Sequence, residues 1–395
     1  MATPKLPASP LLESMVDTRR GKRKEIVIFS PVGDLGQLDG FCHHVKRMGM
    51  DKDADFAFIY RKGLQYKECG LSSVQATEKY PLGTSGCFFA GQVMAYRLGY
   101  PIIVVTDLDA LLDSRKTLME MISIARREGK VVSPVSANAE NPGVSGASNM
   151  NQWSVFPRHV FETVGFSIPF FWRGGDDYEL LWRYKSLGKT AVYRQGHALH
   201  PISGHTVFHK MLERKKQYPY VASLLKALLY MKEYQPAAER KFIFWYAYYS
   251  YFSDVFGDGG LRKVLKASGK FVRPVVDESR PALFEIRQGK RCGKFEGWSP
   301  KMLASTLASP FLLALFGEYC IYRDRVVLKA PRMTIFCRGI AACALAPFRL
   351  LEAFMVIAAW DDDKGRLRGL DMRASNAVLV EKEFEKFLKD KKLAV

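Results

Sequence analysis

The sequence predicts an α/β domain with a mostly parallel sheet, followed by a helical C-terminal region. Three observations support this. Short apolar, β-branched runs alternate with amphipathic segments between residues 25 and 137, as in a sheet covered by helices on both faces. Beyond about residue 205 the segments become helical and strongly aromatic. The chain has 395 residues and is 48% hydrophobic, so a sizeable core is expected.

The first predicted strands are short and apolar. EIVIFSPV, residues 25–32, is followed by GDLGQLDG, whose glycines and aspartates predict turns. DFAFIYRKG, residues 55–63, is the second strand candidate. In PIIVVTDLDALL, residues 101–112, the apolar run IIVV predicts a buried strand, and two aspartates follow it.

Helices are predicted between these strands. GCFFAGQVMAYRLG, residues 86–99, has helical spacing and ends at Gly99, a typical C-cap residue. KTLMEMISIARREGK, residues 116–130, is amphipathic, and VVSPVSA after it predicts another buried strand. Strand and helix therefore alternate through this part of the chain.

The remaining segments differ in composition. Residues 1–24 contain Pro, Ser and a basic run, which predicts a flexible basic tail before an α/β domain at 25–210. Residues 211–296 predict a helical, aromatic-rich extension. Residues 297–395 contain two apolar stretches interrupted by charges, 302–322 and 333–360, and end in an amphipathic Lys-rich helix. Such spacing of charges suits helices that lie in the headgroup plane of a membrane better than helices that cross it.

Net charge and cysteine content limit the function classes. The formal net charge of +19 favours anionic partners: nucleic acid, acidic lipid headgroups or phosphorylated ligands. The seven cysteines are scattered without a CxxC pair, which argues against a disulfide framework and a zinc knuckle and favours a reducing compartment. The N-terminal residues lack a continuous apolar core, so a secretory signal is not expected.

Asp107-Leu108-Asp109 follows the apolar strand IIVV. In open parallel sheets, ligands bind beyond the carboxyl ends of the strands. Two carboxylates one residue apart can share Mg²⁺ or Mn²⁺, which in turn neutralises a departing diphosphate. The alternative is an ordinary turn, because aspartate also favours turns.

Asp176 and Asp177 begin the predicted helix DYELLWRYKSLG, with Glu179 nearby. Carboxylates are favoured at a helix N-terminus, so simple capping explains one of them. Close carboxylates also raise one another's pKa, which suits a general base. The sequence leaves both interpretations open.

Four histidines follow within a short stretch: His197, His200, His205 and His209. A histidine nitrogen added to the aspartate pair would shift metal preference from magnesium towards manganese. The residues alone do not decide which histidine has this role.

The order of these elements resembles the family-2 glycosyltransferases of GT-A fold, which have a Rossmann-like sheet. The bacterial galactofuranosyltransferases are the most similar group. The resemblance covers residues 80–205 and rests on the DxD strand, NQWSVFPRHVFETVGFSIPFFWRGGDDYELLWR (151–183) and GKTAVYRQGHALH (188–200).

The resemblance implies a role for each candidate residue. Asp107 and Asp109 would bind the metal and the donor diphosphate, with His200 as the third protein ligand. Asp177 would be the catalytic base. Acceptor-binding roles would fall to the remaining candidates: Asp176, Trp153 and Trp172.

The sequence thus predicts an inverting, metal-dependent glycosyltransferase of hexosyltransferase type, with Mn²⁺ or Mg²⁺ as cofactor. A nucleotide-diphosphate sugar would be the donor, and a glycan or lipid-linked molecule of the cell envelope the acceptor. The basic charge and apolar helices place it peripherally or monotopically on the cytoplasmic face of an anionic membrane, with no nucleic acid partner. The alternatives are a sugar nucleotidyltransferase and a non-catalytic basic protein that binds nucleic acid or membranes through a degenerate GT-A core.

Overall fold

The computed structural model describes residues 9–19, 21–138, 150–171, 176–200 and 371–390. Trp172, the extension at 211–296 and both long apolar stretches lie outside these residues. Among the helices that the structure describes, none is long and apolar enough to cross a membrane. The described residues up to 136, those from 150 to 200 and the C-terminal helix form one compact unit.

The strands of the described residues form one nine-stranded sheet in the order β1-β4-β3-β2-β5-β8-β7-β9-β6. Their bounds are β1 Leu12–Asp17, β2 Ile26–Val32, β3 Ala54–Tyr60, β4 Ser73–Glu78, β5 Ile102–Val105, β6 Leu111–Leu112, β7 Val131–Asn138, β8 Ser154–Pro157 and β9 Thr190–His200.

Helices connect these strands or pack beside them. Their bounds are α1 Leu35–Arg47, α2 Gly83–Arg97, α3 Arg115–Glu128, α4 His159–Thr163, α5 Asp176–Ser186 and α6 Ala377–Asp390. Short 3₁₀ turns lie at Met50–Lys52, Pro169–Phe171 and Ala374–Asn376.

The sheet is mixed, which corrects the prediction of a mostly parallel one. The four strands β4, β3, β2 and β5 are parallel. The pairings β1–β4, β5–β8, β7–β8 and β6–β9 are antiparallel. A strand buried on both faces has the same apolar pattern in either direction, so the sequence of β8 could not reveal that it runs against β5.

The predicted strands at the start of the domain are confirmed, with two corrections. Residues 12–17, predicted to lie in a flexible tail, form an edge strand paired with β4. GDLGQLDG is more than a turn, because α1 begins at Leu35. Asp34 caps this helix and accepts a hydrogen bond from the Gln37 backbone N–H at 2.9 Å.

Helix α2 lies close to β2 because a glycine faces the strand. A Cβ atom at Gly91 would lie 2.0 Å from the ring of Phe29. Phe29 is fully buried and packs edge-on against Phe88 of α2, with ring centroids 6.0 Å apart. The ring therefore has no room to move, and only glycine fits at position 91.

Gly91→Ala is expected to destabilise the fold. Overpacking a core costs about 1–3 kcal/mol, which exceeds the roughly 0.5–1 kcal/mol that alanine gains over glycine in a helix. The matched control is Gly40→Ala in α1, where a Cβ atom would meet nothing within 4 Å. Chemical denaturation should show a lower unfolding free energy for Gly91→Ala and an unchanged or higher one for Gly40→Ala.

The predicted amphipathic C-terminal helix is confirmed as α6, and it belongs to the same compact unit as the α/β domain. Its Glu381, 1% exposed, forms an ion pair with Arg97 of α2, the closest atoms being 2.5 Å apart. Phe384 and Phe387 contact Phe170, with ring centroids 5.4 and 5.5 Å apart. The apolar face of α6 is thus covered by protein.

Candidate active site

The Asp107-Leu108-Asp109 segment lies beyond the carboxyl end of β5, as predicted. We call residues 107–110 the DLD turn. The Asp107 and Asp109 side chains are half-buried, while Leu108 between them is buried in the core. The Ala110 N–H donates a hydrogen bond to the Asp107 carbonyl oxygen at 3.3 Å, which closes the turn.

Residues 151–153, the clamp segment, contact both ends of the DLD turn. The Asp107 N–H donates to the Asn151 carbonyl oxygen at 2.8 Å. At the other end, the Trp153 indole N–H donates to the Ala110 carbonyl oxygen at 2.6 Å. The clamp segment therefore fixes the DLD turn from outside the turn itself.

Trp153 is a core residue, which corrects its predicted role in acceptor binding. Its side chain is 0% exposed and stacks on Phe41, with ring centroids 5.9 Å apart. A fully covered ring presents no face to a sugar. Its backbone φ of 56° lies in the left-handed region, where a bulky residue is an outlier that costs about 1–3 kcal/mol and is often found near functional sites.

Asp176 is buried as well, with 1% exposure. Its carboxylate accepts hydrogen bonds from Ser85 Oγ at 2.9 Å and from Asn151 Nδ2 at 3.4 Å. Burial raises the pKa of this carboxyl above its ordinary value, and the two hydrogen bonds oppose the shift. Direct acceptor binding needs an accessible carboxylate, which the buried Asp176 does not present.

The three acidic residues at the start of α5 have different environments. Glu179, 2% exposed, forms a bidentate ion pair with Arg183 at 2.7 and 2.9 Å. Asp176 faces α2 and the clamp segment. The side chain of Asp177 is half-exposed, and it is the only one of the three that solvent reaches appreciably. Of this group, Asp177 is therefore the residue best placed to meet a substrate.

The antiparallel ladder of β6 and β9 brings His200 to the DLD turn. Leu111 pairs with Leu199 and Leu112 with Ala198. Continuing this register by one residue places the backbone of His200 opposite Ala110, next to Asp109. The His197 N–H instead donates to the Asp113 carboxylate at 2.7 Å, farther along the ladder.

The residues at the DLD turn suit a divalent cation. Asp107 and Asp109 supply two half-buried carboxylates, the type of oxygen ligand that a hard divalent cation prefers. Among the side chains that the structure describes, no group of three or more His, Cys, Asp or Glu residues is arranged to hold a metal ion. The side chain of His200 lies outside the side chains that the structure describes.

Two residues of the site were missed by sequence reasoning. Asn151 contacts the DLD turn through its carbonyl oxygen and Asp176 through its side-chain amide. Its position two residues before the candidate Trp153 was the one feature of the sequence that could have identified it. Nothing in the sequence around Ser85 could have identified it, because its contact with Asp176 joins residues 91 positions apart.

No protein-family model matches the chain, and no curated protein matches it either. Among solved structures, it is similar to GalNAc-T7 crystallised with UDP, GalNAc and Mn²⁺, at 11% identity and a TM-score of 0.37, over 51% of this chain and 47% of that one. It is similar to residues 1–349 of TarS from S. aureus, at 8% identity and a TM-score of 0.40, over 85% and 91%. A mycobacterial protein gives 12% identity and a TM-score of 0.34, over 52% and 74%. The chain thus spans about half the length of GalNAc-T7, and none of these likenesses assigns it to a family.

Proposed function

We propose that this chain is an inverting, metal-dependent glycosyltransferase that transfers a sugar from a nucleotide-diphosphate donor to a glycan or lipid-linked acceptor. The observation that carries the proposal is the position of Asn151. Its carbonyl oxygen accepts the Asp107 N–H, and its amide donates to Asp176. The DLD turn and the acidic start of α5 therefore adjoin, although they lie far apart in the sequence.

The two halves of this site have complementary chemistry. A metal held by Asp107, Asp109 and His200 would neutralise the charge that develops on the departing diphosphate. Asp177, at the half-exposed side of α5, would accept the proton of the acceptor hydroxyl. The hydroxyl oxygen forms a bond to the anomeric carbon as the bond from that carbon to the diphosphate oxygen breaks, so the configuration inverts.

The proposed class of acceptor, one presented at a membrane, is based on the composition of the chain. A net charge of +19 and the apolar stretches at 302–322 and 333–360 favour an acceptor presented at an anionic membrane surface. These stretches lie outside the described residues, so this part of the proposal rests on the sequence. A cytoplasmic membrane face, peripheral or monotopic, is the location it suggests.

Slow donor hydrolysis tests the proposed activity without knowledge of the acceptor. The purified full chain is incubated with Mn²⁺ and a panel of UDP-, GDP- and dTDP-sugars, and the released nucleoside diphosphate is measured. We expect release from one donor class, lost on adding EDTA and restored by excess Mn²⁺. Release no faster than without protein for every donor would contradict the function, and EDTA-resistant release would contradict the metal dependence.

A further inference from the structure

We propose that Trp153 is a positioning residue of the metal-binding site. Its indole N–H holds the Ala110 carbonyl and thereby fixes the spacing between the carboxylates of Asp107 and Asp109. The inference rests on the proposed function, because it assigns Trp153 to the metal half of that site.

The hydrogen bonds of the DLD turn support this role. Within the turn, the bond between the Ala110 N–H and the Asp107 carbonyl is long, at 3.3 Å. The bonds to the clamp segment are shorter, at 2.8 Å for Asp107 and 2.6 Å for Ala110. The clamp segment therefore holds the two ends of the turn, Asp107 and Ala110, through shorter bonds than the one within the turn.

Because the site is buried, the Ala110 carbonyl depends on the Trp153 indole N–H for its hydrogen bond. Ala110 and Trp153 are both 0% exposed, so water cannot replace the donor if it is removed. An unsatisfied buried carbonyl is unfavourable, and the turn would move to find another donor. A phenylalanine ring could still stack on Phe41 but could not hold Ala110.

A shift of Ala110 would also affect the third predicted ligand. Leu111 follows it directly and pairs with Leu199, the residue before His200. Ala110 thus lies between Asp109 and the ladder that places His200. The left-handed φ of 56° at Trp153 indicates that the fold retains an unfavourable backbone conformation at the residue that makes this contact.

The test compares Trp153→Phe with Tyr184→Phe in the full-length protein. Tyr184 is also fully buried, and its hydroxyl donates to a backbone carbonyl, that of Gly165, at 2.8 Å. Each variant removes one buried side-chain donor to backbone carbonyls, but only Trp153→Phe removes a donor at the DLD turn.

Mn²⁺ alone is titrated, with the free ion measured by electron paramagnetic resonance. We expect the Mn²⁺ dissociation constant to rise about tenfold in Trp153→Phe, as for a lost outer-shell partner, and to stay unchanged in Tyr184→Phe.

A second variant covers the case in which Trp153→Phe does not fold. Replacing Trp153 with 3-benzothienylalanine substitutes sulfur for the indole N–H and keeps the size of the ring. It should weaken Mn²⁺ binding to the same extent. If either folded variant at position 153 binds Mn²⁺ as tightly as the wild type while the wild type hydrolyses donor, the inference is overturned and the proposed function stands. A wild type that neither binds Mn²⁺ nor hydrolyses any donor overturns both.

Discussion

Asp177→Asn is expected to lower the rate constant of sugar transfer, kcat, by about 10²–10⁴-fold, the usual contribution of a general base. Asparagine has the same shape but cannot accept the proton of the acceptor hydroxyl. Folding should persist, because the side chain is half-exposed and one carboxylate at a helix N-terminus contributes only about 0.3–1 kcal/mol. Mn²⁺ affinity and the Michaelis constant for the donor should change little, because Asp177 is not among the proposed metal ligands.

The rate can be measured as transfer of labelled sugar from the donor identified by hydrolysis to a panel of alkyl glycosides. Asp39→Asn is a matched control, since it removes the same charge from an exposed residue of α1 that pairs with Lys67. It should transfer at the wild-type rate. If Asp177→Asn transferred sugar as fast as Asp39→Asn, Asp177 would not be the base.

The central strands and helices could be predicted because their apolar pattern directly reflects burial. β2, β3 and β5 are apolar runs, and nearly all of their residues are buried. β4 was missed because its sequence, SVQATE, is polar although mostly buried. Its polar groups bind one another, as in the bond of 3.0 Å from Gln75 Nε2 to Ser73 Oγ. A hydrophobicity pattern cannot show that kind of compensation.

The sequence could suggest candidate site residues, but it could not show which of their side chains are accessible. The DxD segment and the acidic pair were found because each directly adjoins a regular element. Whether a tryptophan stacks on a ligand or fills the core depends on distant neighbours, here Phe41. The same holds for Asp176, since Ser85 belongs to another helix. Asp177, which is half-exposed, and Asp176, which is buried, are neighbours in sequence, and only the packing of α5 makes their exposure differ.

Asp107→Asn and Asp109→Asn are each expected to weaken Mn²⁺ binding by more than about 100-fold, beyond the range for outer-shell partners. The amide keeps the shape of the side chain but loses the negative charge that a hard cation requires. The effect should also appear as lost stabilisation by the metal. A ligand at about 100 times its dissociation constant adds about 2.7 kcal/mol to the free energy of unfolding, and neither variant should gain this at the Mn²⁺ concentration that stabilises the wild type.

Asp113→Asn is the control that distinguishes the loss of a metal ligand from the loss of a nearby negative charge. Asp113 follows the DLD turn by a few residues and accepts the His197 N–H at 2.7 Å, a bond that the asparagine oxygen can retain. Asp113 is not among the proposed metal ligands, so the loss of its charge should change Mn²⁺ affinity only slightly. If all three variants lost affinity equally, the DLD turn would attract cations without coordinating them. If Asp107→Asn and Asp109→Asn kept both Mn²⁺ binding and EDTA-sensitive donor hydrolysis, the metal would bind elsewhere, and the donor half of the site would have to be reassigned.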